Sequence, residues 1–213
     1  MHMEGVRDGD VLNAEQERIV HRLEGDLKAR MAEVKPKRYA HSLSVARTAQ
    51  DMAVEYGVDP FQARVAGILH DWDKVVPTHE LVSRARDMGV DMGVDLELVA
   101  PLLHGITAAH ELPSLYPELP QAVWRAISLH TVGSDKMSAL DMVLFVADGI
   151  EPLRKGSAGI EHVRDMVRGH APLSEVYAES FCGGVEYVVQ TRRYLYPGTI
   201  DIYNRLVLGR TGA

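Results

Sequence analysis

A chain of 213 residues with 46% hydrophobic content can build one sizeable core, and is read as a single domain. Its formal charge of -7 excludes the basic face of a general nucleic-acid binder, so a phosphate-bearing ligand must be met by local cations or metal. A lone cysteine, Cys182, excludes an internal disulfide and fits a reducing cytoplasm, while ten histidines point to metal chemistry. No stretch approaches the roughly 20 apolar residues that span a bilayer, and the opening "MHMEGVRDGDVLNAEQ" lacks the apolar centre of a signal peptide, so no membrane partner is expected.

Apolar residues recur three and four apart through nearly the whole chain, with Gly and Pro as punctuation, which predicts an all-α protein without strands. "AEQERIVHRLEGDLKARMAEV" aligns Ile19, Val20, Leu23, Leu27 and Met31 on one stripe. A second helix is predicted from about Tyr39 to Tyr56, closed by Gly57. Asp59-Pro60 then supplies an N-cap and first-turn proline for the helix that runs into His70. Thr78 is expected to cap "HELVSRARDM", Pro120 to open "QAVWRAISLH", and Ser138 with Asp141 to form a capping box for "ALDMVLFVAD". The doubled tetrad "MGVDMGVD" is too short for a repeat architecture and reads as a helix connection. Around "GGVEYVVQTRRYLYPG" the chain reads as a closing helix and a turn.

Four aliphatic runs end in an ionisable residue: Ile68-Leu69-His70, Leu102-Leu103-His104, Ser128-Leu129-His130 and Val146-Ala147-Asp148. His41 lies inside the second helix. Burying such groups costs several kcal/mol each unless something pairs with them, so their accumulation calls for a common partner. A metal cluster is the economical one, with imidazoles and carboxylates suiting first-row transition metals. The alternative for any single histidine is a core residue hydrogen-bonded to a backbone carbonyl.

The order of His41, the pair His70-Asp71 and the distant Asp148 resembles the metal motif of the HD superfamily of metal-dependent phosphohydrolases. The motifs "KRYAHSLSVA", "AGILHDWDK", "LLHG", "ISLHTVG", "ALDMVLFVADGIEPLR" and "YPGTIDIYN" are similar to one branch of it, the YqeK-type symmetrical bis(5′-nucleosyl)-tetraphosphatases of bacteria. The resemblance implies an all-helical HD fold with a dinuclear metal site. Residues 1–34 become an N-terminal helix with a flexible start, 35–204 the phosphohydrolase domain and 205–213 a C-terminal tail. His41, His70, Asp71 and Asp148 would hold one ion and His104 and His130 a second, with Asp71 bridging. In the family the metal is iron; the residues alone leave manganese, cobalt, nickel and zinc open. Two such ions acidify a bridging water, and the resulting hydroxide would cleave diadenosine tetraphosphate into two ADP. The alternatives are another HD-type nucleotide phosphohydrolase, acting on a mononucleotide, a cyclic nucleotide or guanosine tetraphosphate, and a non-catalytic module sensing nucleotide or metal.

Asp71 and Lys74 are the catalytic candidates, and Arg38, Lys74, Thr131 and Arg154 the candidates for substrate contact. Lys74 follows His70 by four positions, on the same side if the helix continues; its ordinary reading is a solvated lysine. Arg38 and Arg154 read equally as carboxylate partners, Thr131 with Gly133 as a helix exit, and Trp72 and Trp124 as core. Asp73 is expected to pair with Lys74 or to stand behind a ligand histidine, without a catalytic step. His110 is held as a further supporting residue. His2, His21, His79, His162 and His170 lie in polar settings, Cys182 lacks an activating base, and no glycine-rich nucleotide loop is present. The partner expected is a dinucleoside polyphosphate or other nucleotide, with a homodimer as the candidate assembly.

Overall fold

The computed structural model describes residues 11–211, so His2, most of the expected flexible start and the end of the expected tail lie outside it. Ten α-helices and no strand occur among the described residues. They are α1 (Ala14–Met31), α2 (Pro36–Glu55), α3 (Pro60–Leu69), α4 (Thr78–Asp87), α5 (Leu103–Leu115), α6 (Gln121–Leu129), α7 (Ala139–Ile150), α8 (Ala158–Arg168), α9 (Leu173–Gln190) and α10 (Pro197–Thr211). None is long and apolar enough to cross a membrane.

The local signals act largely as expected. The Asp59 side chain accepts from the amides of Phe61 and Gln62 and opens α3, and Ser138 with Asp141 forms the capping box of α7. Gly57 takes a φ of 65° after α2, and the Val58 amide reaches back 2.8 Å to the Ala53 carbonyl, satisfying one orphan acceptor of the helix end. Three readings need correction. The second helix begins at Pro36 rather than Tyr39, because proline fits a first turn that needs no amide donor. Thr78 lies inside α4, whose cap position is Pro77, so its side chain caps nothing. Beyond Gln190 the chain turns and continues as α10, so α9 does not close the fold.

The main core is shared by α1, α2, α3, α6 and α7, with Leu23, Leu27, Val45, Ile68, Ile127 and Leu144 all fully buried. α8 and α9 pack on the outer side of α7, and α5 on α6. A smaller cluster around Val82, Val99 and Leu103 supports the start of α5. α2 and α3 pack closely. A Cβ on Gly67 would lie 2.5 Å from the Ala46 Cα, so only glycine lets the helix that ends in His70 press against the helix that carries His41. Gly67→Ala is therefore expected to destabilise the protein by about 1–3 kcal/mol through overpacking, seen as a lower urea midpoint at unchanged m-value.

Candidate metal centre

Three imidazoles are held by one local device. His70 and His130 stand at the C-terminal caps of α3 and α6, and His104 is the second residue of α5. The Nδ1 of each lies within hydrogen-bond distance of the carbonyl three residues back: Gly67 at 2.7 Å, Pro101 at 3.0 Å and Ile127 at 2.6 Å. A carbonyl can only accept, so each Nδ1 carries the proton and each Nε2 a lone pair. In His41 the same job falls to Glu151, whose buried carboxylate accepts from Nδ1 at 2.9 Å. One nitrogen of each of these imidazoles thus serves the fold, and the other faces inward.

The four Nε2 atoms point inward and meet two carboxylates. Asp71 presents Oδ2 to His41 at 3.8 Å and His70 at 3.6 Å, and Oδ1 to His104 at 3.0 Å and His130 at 3.9 Å. Asp148 Oδ1 lies 3.0 Å from His41 Nε2 and 3.9 Å from His70 Nε2. The Nε2 atoms of His41 and His70 are buried without a hydrogen-bond partner. Those of His104 and His130 face each other at 3.1 Å. Burial of such lone pairs is costly unless a cation binds them. Three overlapping sets can hold an ion: His41, His70 and Asp71; His70, His130 and Asp148; Asp71, His104 and His130. This nitrogen-rich set fits first-row transition metals and not the oxygen cages of magnesium or calcium. Packing again depends on a glycine. A Cβ on Gly105 would come within 2.8 Å of the His130 ring, which accounts for glycine after the histidine of "LLHG".

The electrostatics divide the cluster. Burial lowers the His70 imidazole and takes His130 down to about 3, with His104 and His70 adding repulsion. Burial also pulls on His41, but Asp148, Glu151 and Asp71 more than offset it and raise it. Burial alone would raise the two aspartates. His70, His104 and Lys74 instead hold Asp71, and His41, Arg154 and His70 hold Asp148, well below the usual carboxylate range. His70 and His130 are therefore held toward the neutral imidazole and Asp71 and Asp148 toward the ionised carboxylate, the states that bind metal.

The cluster opens on a cleft of about 910 Å³ lined by Arg38, Lys74, Thr131 and Arg154 among others. Arg38 Nη1 pairs with Asp71 Oδ2 at 2.9 Å, and Arg154 Nη2 with Asp148 Oδ1 at 2.6 Å, so both are carboxylate partners that also face the cleft. The Thr131 hydroxyl donates to the Leu102 carbonyl at 2.8 Å, tying the end of α6 to the start of α5. Helix α3 does not continue to Lys74; a 3-10 turn at Trp72–Val75 brings this lysine to the cleft instead. Asp73 pairs neither with Lys74 nor with a ligand histidine. It accepts from Arg30 at 2.9 Å and from the Thr107 hydroxyl at 2.7 Å, while the Arg30 guanidinium, 4.6 Å from the Trp72 ring centre, also donates to the Trp72 carbonyl. Trp72 and Trp124 are core, His110 is exposed on α5, and Cys182 forms no disulfide.

The HD domain family model matches residues 38–153. The symmetrical bis(5′-nucleosyl)-tetraphosphatase of Halalkalibacterium halodurans is 31% identical, over 80% of this chain and 89% of its own. That of Staphylococcus aureus is 33% identical, over 79% of this chain and 86% of its own. The chain belongs to the HD domain family, in its YqeK-type branch. A crystal structure described as an HD superfamily hydrolase involved in NAD metabolism from Clostridium acetobutylicum is 29% identical and superposes with a TM-score of 0.78, covering 88% of this chain and 96% of that one. HD-domain membership agrees with the buried donor set, which is able to bind metal.

Glu151, Arg30 and Gly105 escaped sequence reasoning. Only Glu151 left a trace, three residues after Asp148 and so on the same face of a helix end. Glu151→Gln, which removes the charge behind His41, should weaken metal binding about 10–100-fold in titrations of chelator-treated protein, with unchanged helical circular dichroism. Acid should destabilise the same metal-stripped protein. His70 and His130 stay neutral, and Asp71 and Asp148 ionised, where the unfolded chain takes up protons, so stability falls as pH drops below the ordinary histidine value of 6.5. His41 opposes this, since its contribution is complete below 6.5 and disappears as pH rises through its raised folded value. With His70 and His130 depressed and His41 alone of these raised, the urea midpoint is expected to be lower at about pH 5 than at about pH 7.

Proposed function

We propose that this protein is a metal-dependent hydrolase that cleaves diadenosine tetraphosphate symmetrically into two ADP. The observation that carries the reading is Asp71, whose two oxygens face different imidazole pairs at the floor of a cleft lined by cations. The names of the two relatives supply the substrate class. His41, His70, Asp71 and Asp148 would hold one transition-metal ion, and Asp71, His104 and His130 a second, iron being the family's metal. Two ions held there would supply Lewis acidity towards phosphate oxygens and would acidify water, the nucleophile of the hydrolysis, at neutral pH.

The chain's own residues do the rest. Asp71 keeps its charge because imidazoles and Lys74 surround it, so it remains a shared anion at neutral pH. Arg38, Lys74 and Arg154 offer positive charge to the polyphosphate, in a protein whose formal charge of -7 would otherwise repel it. Thr131 shapes the same wall. Attack next to the central bridge expels ADP, a good leaving group that needs little proton donation, so no general acid is assigned. The hydrolase unit is taken as 35–204, with α1 as a buttress. The lone Cys182 supports a cytoplasmic setting. The exposed Val189, Ile200 and Leu208 offer apolar surface for a homodimer.

The test joins metal analysis to product analysis on protein purified without oxygen. Close to two transition-metal ions per chain and ADP as the sole product are expected, with oxygen from labelled water in one of the two ADP molecules. AMP plus ATP would contradict symmetrical cleavage, and full activity in chelator with no bound metal would remove the mechanism. Asp71→Asn should abolish turnover and lower metal content more than His130→Ala, because it unties both ions while leaving the core in place. Lys74→Ala should keep its metal and lose substrate binding or turnover instead.

A further inference from the structure

The outer wall of the cleft is one face of α9. Ser180, Gly183, Gly184, Tyr187 and Gln190 follow at helical spacing, and all five line the cleft. The face starts against α7, where a Cβ on Gly149 would lie 3.2 Å from Ser180 Oγ, in the cleft that Asp148 also lines. From there it runs outward for roughly 10 Å to Tyr187. Two adjacent glycines inside an 18-residue helix weaken it relative to alanine, yet a Cβ on either would meet nothing within 4 Å. Packing within the chain does not require them. Beyond them the Tyr187 ring, 52% exposed, lines the cleft with the Arg193 guanidinium 5.2 Å from its centre, and Ile160 adds an apolar side chain. At its inner end the cleft reaches the buried His104 and His130, whose Nε2 atoms lie 3.1 Å apart.

We infer that this face of α9 is the platform for one nucleoside arm of the substrate: Gly183 and Gly184 leave out side chains so that the sugar and base can lie along the helix, and Tyr187 stacks on the base. The inference rests on the reading of the protein as a dinucleoside polyphosphate hydrolase, and adds to it the residues that recognise the nucleoside. The glycine pair then trades helix stability for clearance, and the tyrosine gives a base-tolerant contact through its ring face. The phosphates remain with the cations nearer the cluster.

The experiment compares two probes on metal-loaded protein by calorimetric titration: ADP, and inorganic tripolyphosphate, which keeps the phosphate chain and lacks the nucleoside. Gly184→Leu and Tyr187→Ala should each weaken ADP about tenfold or more and leave tripolyphosphate within about twofold. The double variant Gly183→Ala with Gly184→Ala should melt several degrees higher than the parent while binding ADP more weakly, an opposition that a structural role for the glycines would not produce. Equal loss of both probes, unchanged ADP binding, a lower melting point for the double variant, or conversion of a dimer to monomer by Gly184→Leu without loss of ADP affinity would each overturn the platform. A parent protein that binds tripolyphosphate but neither binds ADP nor cleaves diadenosine tetraphosphate would overturn the functional reading itself.

Discussion

The Asp71 carboxylate sits between two pairs of imidazoles, and most of the structure can be understood as the means of keeping it there. Its Oδ2 faces His41 and His70, and its Oδ1 faces His104 and His130. These residues come from α2, the end of α3, the start of α5 and the end of α6. A charged group only 2% exposed is tolerable when its surroundings stabilise the charge, and here they do so strongly enough to hold it below the usual carboxylate range despite burial. Moving any of those helices by an ångström would leave a buried charge without compensation, so the helix packing and the site are one constraint.

Two kinds of residue enforce that packing. Gly67 and Gly105 act by omission: one lets α3 meet α2, and the other lets the His130 ring lie against α5. Backbone carbonyls act by direction. Because His70, His104 and His130 each turn Nδ1 to a carbonyl three residues back, their rings are oriented before any ligand arrives. Preorganisation of this sort spares a metal the cost of ordering its own ligands. His41 lies within a helix, where its neighbours' carbonyls are already used, and it therefore depends on Glu151.

α1 belongs to the same construction. Arg30 near its end donates to the Trp72 carbonyl and to Asp73, gripping the turn that follows His70-Asp71 from outside the cluster. This explains why "HDWDK" carries two aspartates with different tasks. Asp71 faces the imidazoles, while Asp73 spends its oxygens on Arg30 and Thr107 and locks the turn. Breaking such a buried pair costs more than making it contributes, which makes Asp73 a determinant of geometry rather than chemistry.

Much of this was legible in the chain. Helical periodicity identified most of the helices, cap and proline signals located several of their starts, and the recurrence of His or Asp at the ends of apolar runs singled out His70, His104, His130 and Asp148; with His41 from inside its helix and Asp71 from the family resemblance, these residues do converge. Those signals are local: a period of 3.6 residues, a cap, an ionisable group at the edge of a buried run. Four matters were decided by tertiary structure alone. The partner of Asp73 is an arginine 43 positions away in sequence, and the support for His41 is a glutamate 110 positions away. Lys74 reaches the cleft through a 3-10 turn and not through a continuation of α3. The sharing of Asp71 between two imidazole pairs depends on distances between four separate segments. Spacing along a chain specifies which groups share a helix face, but which faces meet depends on the close packing of the whole core, and no short window of sequence contains that information.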